Sequence, residues 1–130
     1  MFDFKGKILE KVKAAPRKLV LPEGRDPRVL KAAELILREN FTTELIVLGD
    51  PDSLRKNAQI DGISLKGVEL LDPMCSPKLA DYAHELYEMR KAKGMTELEA
   101  METLRDEVYY GAMMLHLGEV DAMVSGSMTP

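Results

Sequence analysis

Short runs of consecutive apolar residues recur along the chain, and between them apolar residues fall every three or four positions. The first pattern marks buried strands, the second helices with one apolar face. Lys18-Leu19-Val20-Leu21 reads as a strand closed by Pro22, Glu44-Leu45-Ile46-Val47-Leu48 as a second ended by Gly49, and Val68-Glu69-Leu70-Leu71 as a third ended by Asp72-Pro73. Val120 to Val124 reads as a fourth. Helical spacing is seen first in Phe4, Ile8 and Val12. It returns after Asp26-Pro27, a cap followed by proline at the first helical position, with Val29, Leu30, Ala33, Leu35, Ile36 and Leu37. A short helix is predicted after Asp50-Pro51. Ser76-Pro77 repeats the signal and predicts a helix running to about Ala92 and ending before Gly94. Thr96 with Glu99 forms a capping box for another helix. Glu107 to Leu117 continues helical and unusually apolar, and Gly118 ends it.

Strands separated by helical stretches need crossover connections, which make a mainly parallel sheet. Helices on both faces then give an α/β fold, a three-layer α/β/α sandwich. Periodicity carries no information on strand order. The last eleven residues, Val120 to Pro130, read as a buried strand running into a small glycine-containing loop. Ligands in such folds sit outside the carboxyl ends of the strands. The end of the chain is therefore expected to be the front part of a larger site, and residues 1–130 one α/β domain of a longer, truncated protein.

The chain has 130 residues, 45% hydrophobic and 31% charged, which fits one globular domain with a real core. A net charge of -4 argues against non-specific nucleic-acid binding and means that an anionic ligand needs a local basic cluster. The single cysteine, Cys75, excludes an internal disulfide and fits a reducing compartment, so a cytoplasmic protein is expected. No stretch approaches 18 uninterrupted apolar residues, so no membrane association is expected. His84 and His116 stand alone, without metal-ligand spacing, and no metal is expected.

Few residues carry candidate chemistry. Arg25 and Arg28 stand at the entrance of the first long helix, where two guanidiniums make a phosphate clamp; the alternative is a capped turn with Arg28 paired to Glu23 or Asp26. Arg90-Lys91-Ala92-Lys93-Gly94 closes a helix, and its cations either hold a phosphorylated ligand or simply complement the helix dipole. Ser125-Gly126-Ser127 offers hydroxyls and flexible backbone at a strand end, but lacks the context of a nucleophile elbow or a Walker loop. Cys75 precedes a helix start, where a thiol pKa can fall; without a His or Asn partner it reads as a small structural residue. Tyr109 to Met114 reads as helix packing.

Taken in order, these segments resemble the phosphate acetyltransferase (phosphotransacetylase) family. The resemblance rests on Leu21-Pro22-Glu23-Gly24-Arg25-Asp26-Pro27-Arg28-Val29-Leu30-Lys31-Ala32-Ala33 and on Asp72-Pro73 followed by Ser76-Pro77-Lys78. It continues through Glu85 to Thr96, Tyr110-Gly111-Ala112-Met113-Met114 with Leu117-Gly118, and Val120-Asp121-Ala122-Met123-Val124-Ser125-Gly126. Phosphate butyryltransferases and the acyltransferase-like tail of some malic enzymes share the pattern. The resemblance implies reversible acetyl transfer: acetyl phosphate plus coenzyme A gives acetyl-CoA plus phosphate. Coenzyme A is then a substrate, and no permanently bound cofactor is expected. By motif match Arg90 is expected to bind the phosphate or acyl phosphate, Arg28 to lie near the site, and Ser125 and Gly126 to begin the loop beside the substrate. After Val-Ser-Gly the family runs into a Thr-Ala-Asp-Thr-Leu-Arg-Pro segment; here stand Ser127-Met128-Thr129-Pro130. The family's catalytic serine, arginine and aspartate lie in its second half, so no catalytic residue is assignable. The implied fold has two α/β domains, like isocitrate/isopropylmalate dehydrogenase, with the site in the cleft between them. A stand-alone, non-catalytic module of the same fold is the alternative. A homodimer is expected, with the helix around Tyr110, Met113, Met114 and Leu117, and the sheet edge near Val120 to Val124, as the exposed contact surface.

Overall fold

The computed structural model describes residues 17–40 and 44–125. The predicted helix over Phe4 to Val12, and Gly126, lie outside the described residues. Four strands are formed: β1 (Lys18–Leu21), β2 (Glu44–Leu48), β3 (Val68–Leu71) and β4 (Ala122–Met123). Five α-helices connect them: α1 (Pro27–Arg38), α2 (Pro51–Ile60), α3 (Leu79–Arg90), α4 (Glu97–Thr103) and α5 (Glu107–His116). The strands form one sheet in the order β3-β2-β1-β4, and every pairing is parallel. Lys18 lies opposite Glu44, Leu45 opposite Val68 and Leu19 opposite Ala122.

This order explains the three layers. Crossovers between parallel strands are right-handed, so moving from β1 through β2 to β3 keeps the helices on one face. Returning from β3 past β1 to β4 puts them on the other. On the first face Leu19, Leu21, Leu45 and Val47 pack under Val29, Leu30, Ala33 and Ile36 of α1 and Leu54 and Ala58 of α2. On the second, Val20, Ile46 and Leu48 pack under Tyr82, Ala83 and Leu86 of α3, Ala100 of α4, and Tyr110, Met113 and Met114 of α5. The alternation of side chains along a strand divides each strand's residues between these two cores.

Most helix starts follow the capping chemistry of the sequence. Asp26 and Asp50 cap α1 and α2 with proline behind them, and Thr96 and Glu99 make a complete capping box on α4. Gly94 and Gly118 take the left-handed backbone that ends a helix, at φ 94° and 76°.

Four expectations are corrected. The Ser76-Pro77 signal does not open a helix at that point. Ser76 Oγ accepts from the Lys78 N–H at 3.1 Å and shares a 2.6 Å hydrogen bond with Tyr110 Oη, so it closes a turn, and α3 starts at Leu79. The fourth strand shrinks from Val120–Val124 to Ala122–Met123, because only two of its residues pair in register with β1. Cys75 ends a short 3₁₀ turn, and it is exposed rather than packed. Tyr110, Met113 and Met114 do not form an exposed patch: they are 1%, 5% and 5% exposed in the second core, and of that group only Leu117 is exposed. The packing expected of the Tyr109 to Met114 helix is thus present, with Tyr109 and Ala112 turned outward.

Candidate functional site

Three of the four strands end in the same way. β1, β2 and β3 are followed by Asp26-Pro27, Asp50-Pro51 and Asp72-Pro73, and each aspartate turns its carboxylate back onto the N–H groups of the next turn. Asp26 accepts from Arg28 N at 2.9 Å, Asp50 from Ser53 N at 3.4 Å and Ser53 Oγ at 2.8 Å, and Asp72 from Met74 N at 3.0 Å. Backbone donors that would otherwise attract an anion are occupied there by the protein's own carboxylates.

β4 is followed among the described residues by Val124 and Ser125, and its position is distinctive. The chain steps from β1 to β2 on one side of the sheet and later arrives at β4 on the other, so the strand order diverges about β1. Divergence of that kind opens the crevice in which open α/β sheets bind ligands.

Two side chains meet across this crevice. The Ser125 hydroxyl donates to Glu23 Oε1 at 2.8 Å, joining residues 102 apart in sequence. Glu23 is 3% exposed and Ser125 is half-buried. Glu23 is held from below by its neighbour. A Cβ on Gly24 would lie 2.6 Å from the carbonyl oxygen of Leu48, 2.7 Å from Val47 Cγ1 and 2.9 Å from Leu54 Cδ2. Only a residue without a side chain lets the turn after β1 press onto the end of β2, where Gly24 N–H donates to Leu48 O at 3.2 Å. The turn closes with Asp26 N–H donating to Glu23 O at 3.0 Å.

Beside it, Arg28 forms a two-pronged pair with the buried Asp26: Nε to Oδ1 at 3.2 Å and Nη2 to Oδ2 at 2.9 Å. Of the two readings left open by the sequence, the pairing with Asp26 is the one observed, although about half of the Arg28 side chain still faces solvent. The hydrogen bond and charge of Asp26, with a contribution from Glu23, hold Arg28 more firmly protonated than usual. Glu107, at the start of α5, also faces this edge. Burial raises its pKa above the ordinary carboxylate value, the charges of Asp106, Asp72 and Glu23 add to the rise, and Arg25 opposes it. The crevice is therefore a mixed-charge site in which Glu23, Asp26 and Glu107 face Arg25 and Arg28. The Cys75 thiol pKa is raised, first by the Asp72 carboxylate, which agrees with the reading that it is no activated nucleophile.

The structure thus brings Arg28 and Ser125 to one edge, around Glu23. It places Arg90 at the end of α3, exposed, in a groove with Met89, Met95, Thr103, Tyr109 and His116. Among the described residues the Arg90 side chain makes no hydrogen bond or ion pair to that edge. No helix of the described residues is long and apolar enough to cross a membrane, and no cluster of His, Cys, Asp or Glu among them is placed to hold a metal ion. Sequence reasoning noted Glu23 only as a potential partner of Arg28. Its partner Ser125 lies beyond the reach of any local pattern, and the glycine after Glu23 was the one available signal of a close approach.

A family model described as phosphate acetyl/butaryl transferase matches residues 3–129. The chain is 43% identical to a phosphate acetyltransferase of Thermoanaerobacterium thermosaccharolyticum over 93% of its own length and 36% of that protein's. It is 42% identical to one of Acetivibrio thermocellus, over 97% and 37% respectively. Its backbone matches the EutD phosphotransacetylase of Staphylococcus aureus with a TM-score of 0.81 at 32% identity, covering 96% of this chain and 38% of that one. A phosphotransacetylase from Streptococcus pyogenes matches with a TM-score of 0.81 at 30% identity, covering 100% and 40%. The chain therefore spans between about a third and two fifths of the length of these four proteins.

Proposed function

The chain belongs to the phosphate acetyl/butaryl transferase family, and from that premise we propose that it forms one wall of the site of a phosphate acetyltransferase. The reaction is acetyl transfer between acetyl phosphate and coenzyme A. The thiol sulfur attacks the acetyl carbonyl carbon, a C–S bond forms, the C–O bond to phosphate breaks, and the thiol proton passes to a base. Negative charge moves from sulfur through the carbonyl oxygen to the phosphate, so fixed donors along that path lower the barrier. The observation that carries this reading is the family match over residues 3–129, with the crevice between β1 and β4 as the place where such a fold binds ligands.

In this reading coenzyme A and acetyl phosphate are substrates, and Arg28, Arg90, Ser125 and Gly126 help to bind them. Arg28 suits the role because its planar fork matches phosphate oxygens. It must share that fork with Asp26, so an incoming phosphate competes with an existing pair. The base and the remaining anion-stabilising groups come from a second α/β domain, in the manner of isocitrate/isopropylmalate dehydrogenase-like folds, and the protein works in the cytoplasm as a homodimer. Butyryl phosphate is a second candidate substrate, since the matching family model spans both acyl groups.

The test is an assay of acyl-CoA formation from CoA with acetyl phosphate or butyryl phosphate. The intact protein carrying this sequence is expected to turn over acetyl phosphate, and the 130-residue chain alone is expected to be inactive. No acyl transfer by the intact protein overturns the function; full turnover by the 130-residue chain overturns the need for a second domain.

A further inference from the structure

In the phosphate acetyltransferase reading Ser125 touches substrate, yet its proton is already committed. The hydroxyl donates to a carboxylate that is 3% exposed, at 2.8 Å. A hydrogen bond from a hydroxyl to a carboxylate is among the stronger kinds, and its loss leaves a buried charge without that donor. A serine in this arrangement turns its oxygen lone pairs, not its proton, toward a ligand. Lone pairs repel a phosphoryl oxygen.

We propose that Glu23 is a positioning residue: its carboxylate anchors the Ser125 hydroxyl, fixes the carboxyl end of β4 against that of β1, and leaves Ser125 Oγ unable to donate to a phosphate. This inference rests on the phosphate acetyltransferase reading. It changes what Ser125 does within it, from ligand donor to strut. The surroundings fit a strut. Val124 N–H donates to Val20 O at 3.1 Å immediately before Ser125, and Gly24 seats Glu23 against Leu48 immediately after. The strand ends are therefore located by backbone contacts on both sides, and the Glu23–Ser125 bond closes the gap between them. β4 pairs with β1 in register through only two residues, so a side-chain tie at its end adds to the backbone bonds of Asp121 and Val124 in holding it.

The experiment is a double-mutant cycle in the intact protein, with Glu23→Ala, Ser125→Ala, the double variant and Glu23→Gln. Glutamine keeps an oxygen that accepts the Ser125 proton. If Glu23 and Ser125 act as one unit, each alanine variant lowers kcat/KM for acetyl phosphate by about tenfold or more, mainly through KM, and the double variant is no worse than the poorer single one. Glu23→Gln stays within about threefold of the wild type, a rescue that loss of a fold-maintaining charge would not give. Multiplicative losses in the double variant would show that the Ser125 hydroxyl acts on substrate by itself, and would overturn the inference. So would wild-type kinetics in Ser125→Ala. Amide exchange at Val124 and Ser125 provides a readout independent of activity: faster in Glu23→Ala and Ser125→Ala, unchanged in Glu23→Gln. If the wild-type protein transfers no acetyl group, the functional reading fails while exchange still decides the anchor; unchanged exchange in both alanine variants sinks it. Should Glu23→Ala not fold, Ser125→Ala and Glu23→Gln carry the same decision.

Discussion

Replacing Gly24 with alanine is the sharpest test of how the turn after β1 is built. The new Cβ would stand 2.6 Å from the Leu48 carbonyl oxygen, a backbone atom locked into the sheet, and within 3 Å of Val47 and Leu54 side chains. Side chains move aside at modest cost, but the carbonyl does not. The turn must retreat by about 0.8 Å or more to reach ordinary contact, and overpacking of this kind costs about 1–3 kcal/mol. The retreat also stretches the Gly24 N–H to Leu48 O bond, already 3.2 Å long, and losing it adds about 1 kcal/mol. The sum is about 2–4 kcal/mol, a large fraction of the stability of any single domain. Urea unfolding measures it. With a denaturant slope of about 1–3 kcal/mol/M, the midpoint should fall by about 1–2 M without a change of slope. Gly62→Ala is the control. Gly62 has positive φ of 67° but nothing within 4 Å of a new Cβ, so that change carries only the backbone penalty, about 1 kcal/mol. A Gly24→Ala protein within about 0.5 kcal/mol of the wild type would refute the close-approach argument.

Three further outcomes are expected. Asp26→Ala removes the cap of α1 and should destabilise the protein by about 0.5–2 kcal/mol in the same unfolding assay; a neutral result would mean that water or a neighbouring group replaces the cap. Tyr110→Phe removes the 2.6 Å bond to Ser76 from a side chain 1% exposed, and should cost about 1 kcal/mol of stability; no loss would show that the turn before α3 stands without it. Glu34 accepts from the Ser64 N–H at 2.7 Å, which with Lys31 lowers its pKa below the ordinary 4.5. A depressed folded pKa means stability that is present above the unfolded value and lost as pH falls through the folded one. The stability gap between wild type and Glu34→Gln should therefore be largest at neutral pH and close on acidification below 4.5, and a gap independent of pH would remove the charge from the explanation.

The elements of this fold were legible where the cause is local. Asp26-Pro27, Asp50-Pro51 and the Thr96/Glu99 box announce their helices because a cap needs only neighbours within three residues. Apolar runs announce β1, β2 and β3 for the same reason. Ser76-Pro77 misled because its hydroxyl is shared with Tyr110, 34 residues away, and no local rule contains that partner. The break between α4 and α5 was missed in a stretch that reads as continuous helix, although Asp106 caps α5 through Val108 N–H at 2.8 Å. Tyr110, Met113 and Met114 looked like a surface because the apolar α5 has no strongly polar face to set its orientation; packing under the sheet decides it. The site was less legible than the fold. Arg28 could be read as clamp or cap, and only the carboxylate geometry of Asp26 separates the two. Glu23 was invisible as a centre, since its importance comes from a contact 102 residues distant.

That separation has a consequence for the order in which the molecule acquires its parts. β1, β2 and β3 pair between segments some tens of residues apart, whereas β4 reaches β1 only across most of the chain. Loop closure makes such a contact slower to form, and two paired residues give it little to hold with. Asp121 reinforces the junction, accepting from the N–H groups of Arg17 and Lys18 at 3.0 and 2.9 Å and donating its own to Lys18 O at 2.9 Å. The pairing of β1, β2 and β3 can thus form before β4 joins the sheet. In that species Glu23 has not met Ser125 and the crevice has one side only. The contact that ties Ser125 to Glu23 is then expected to form late and to open early, and amide exchange faster at Val124 than at Val20 would show it.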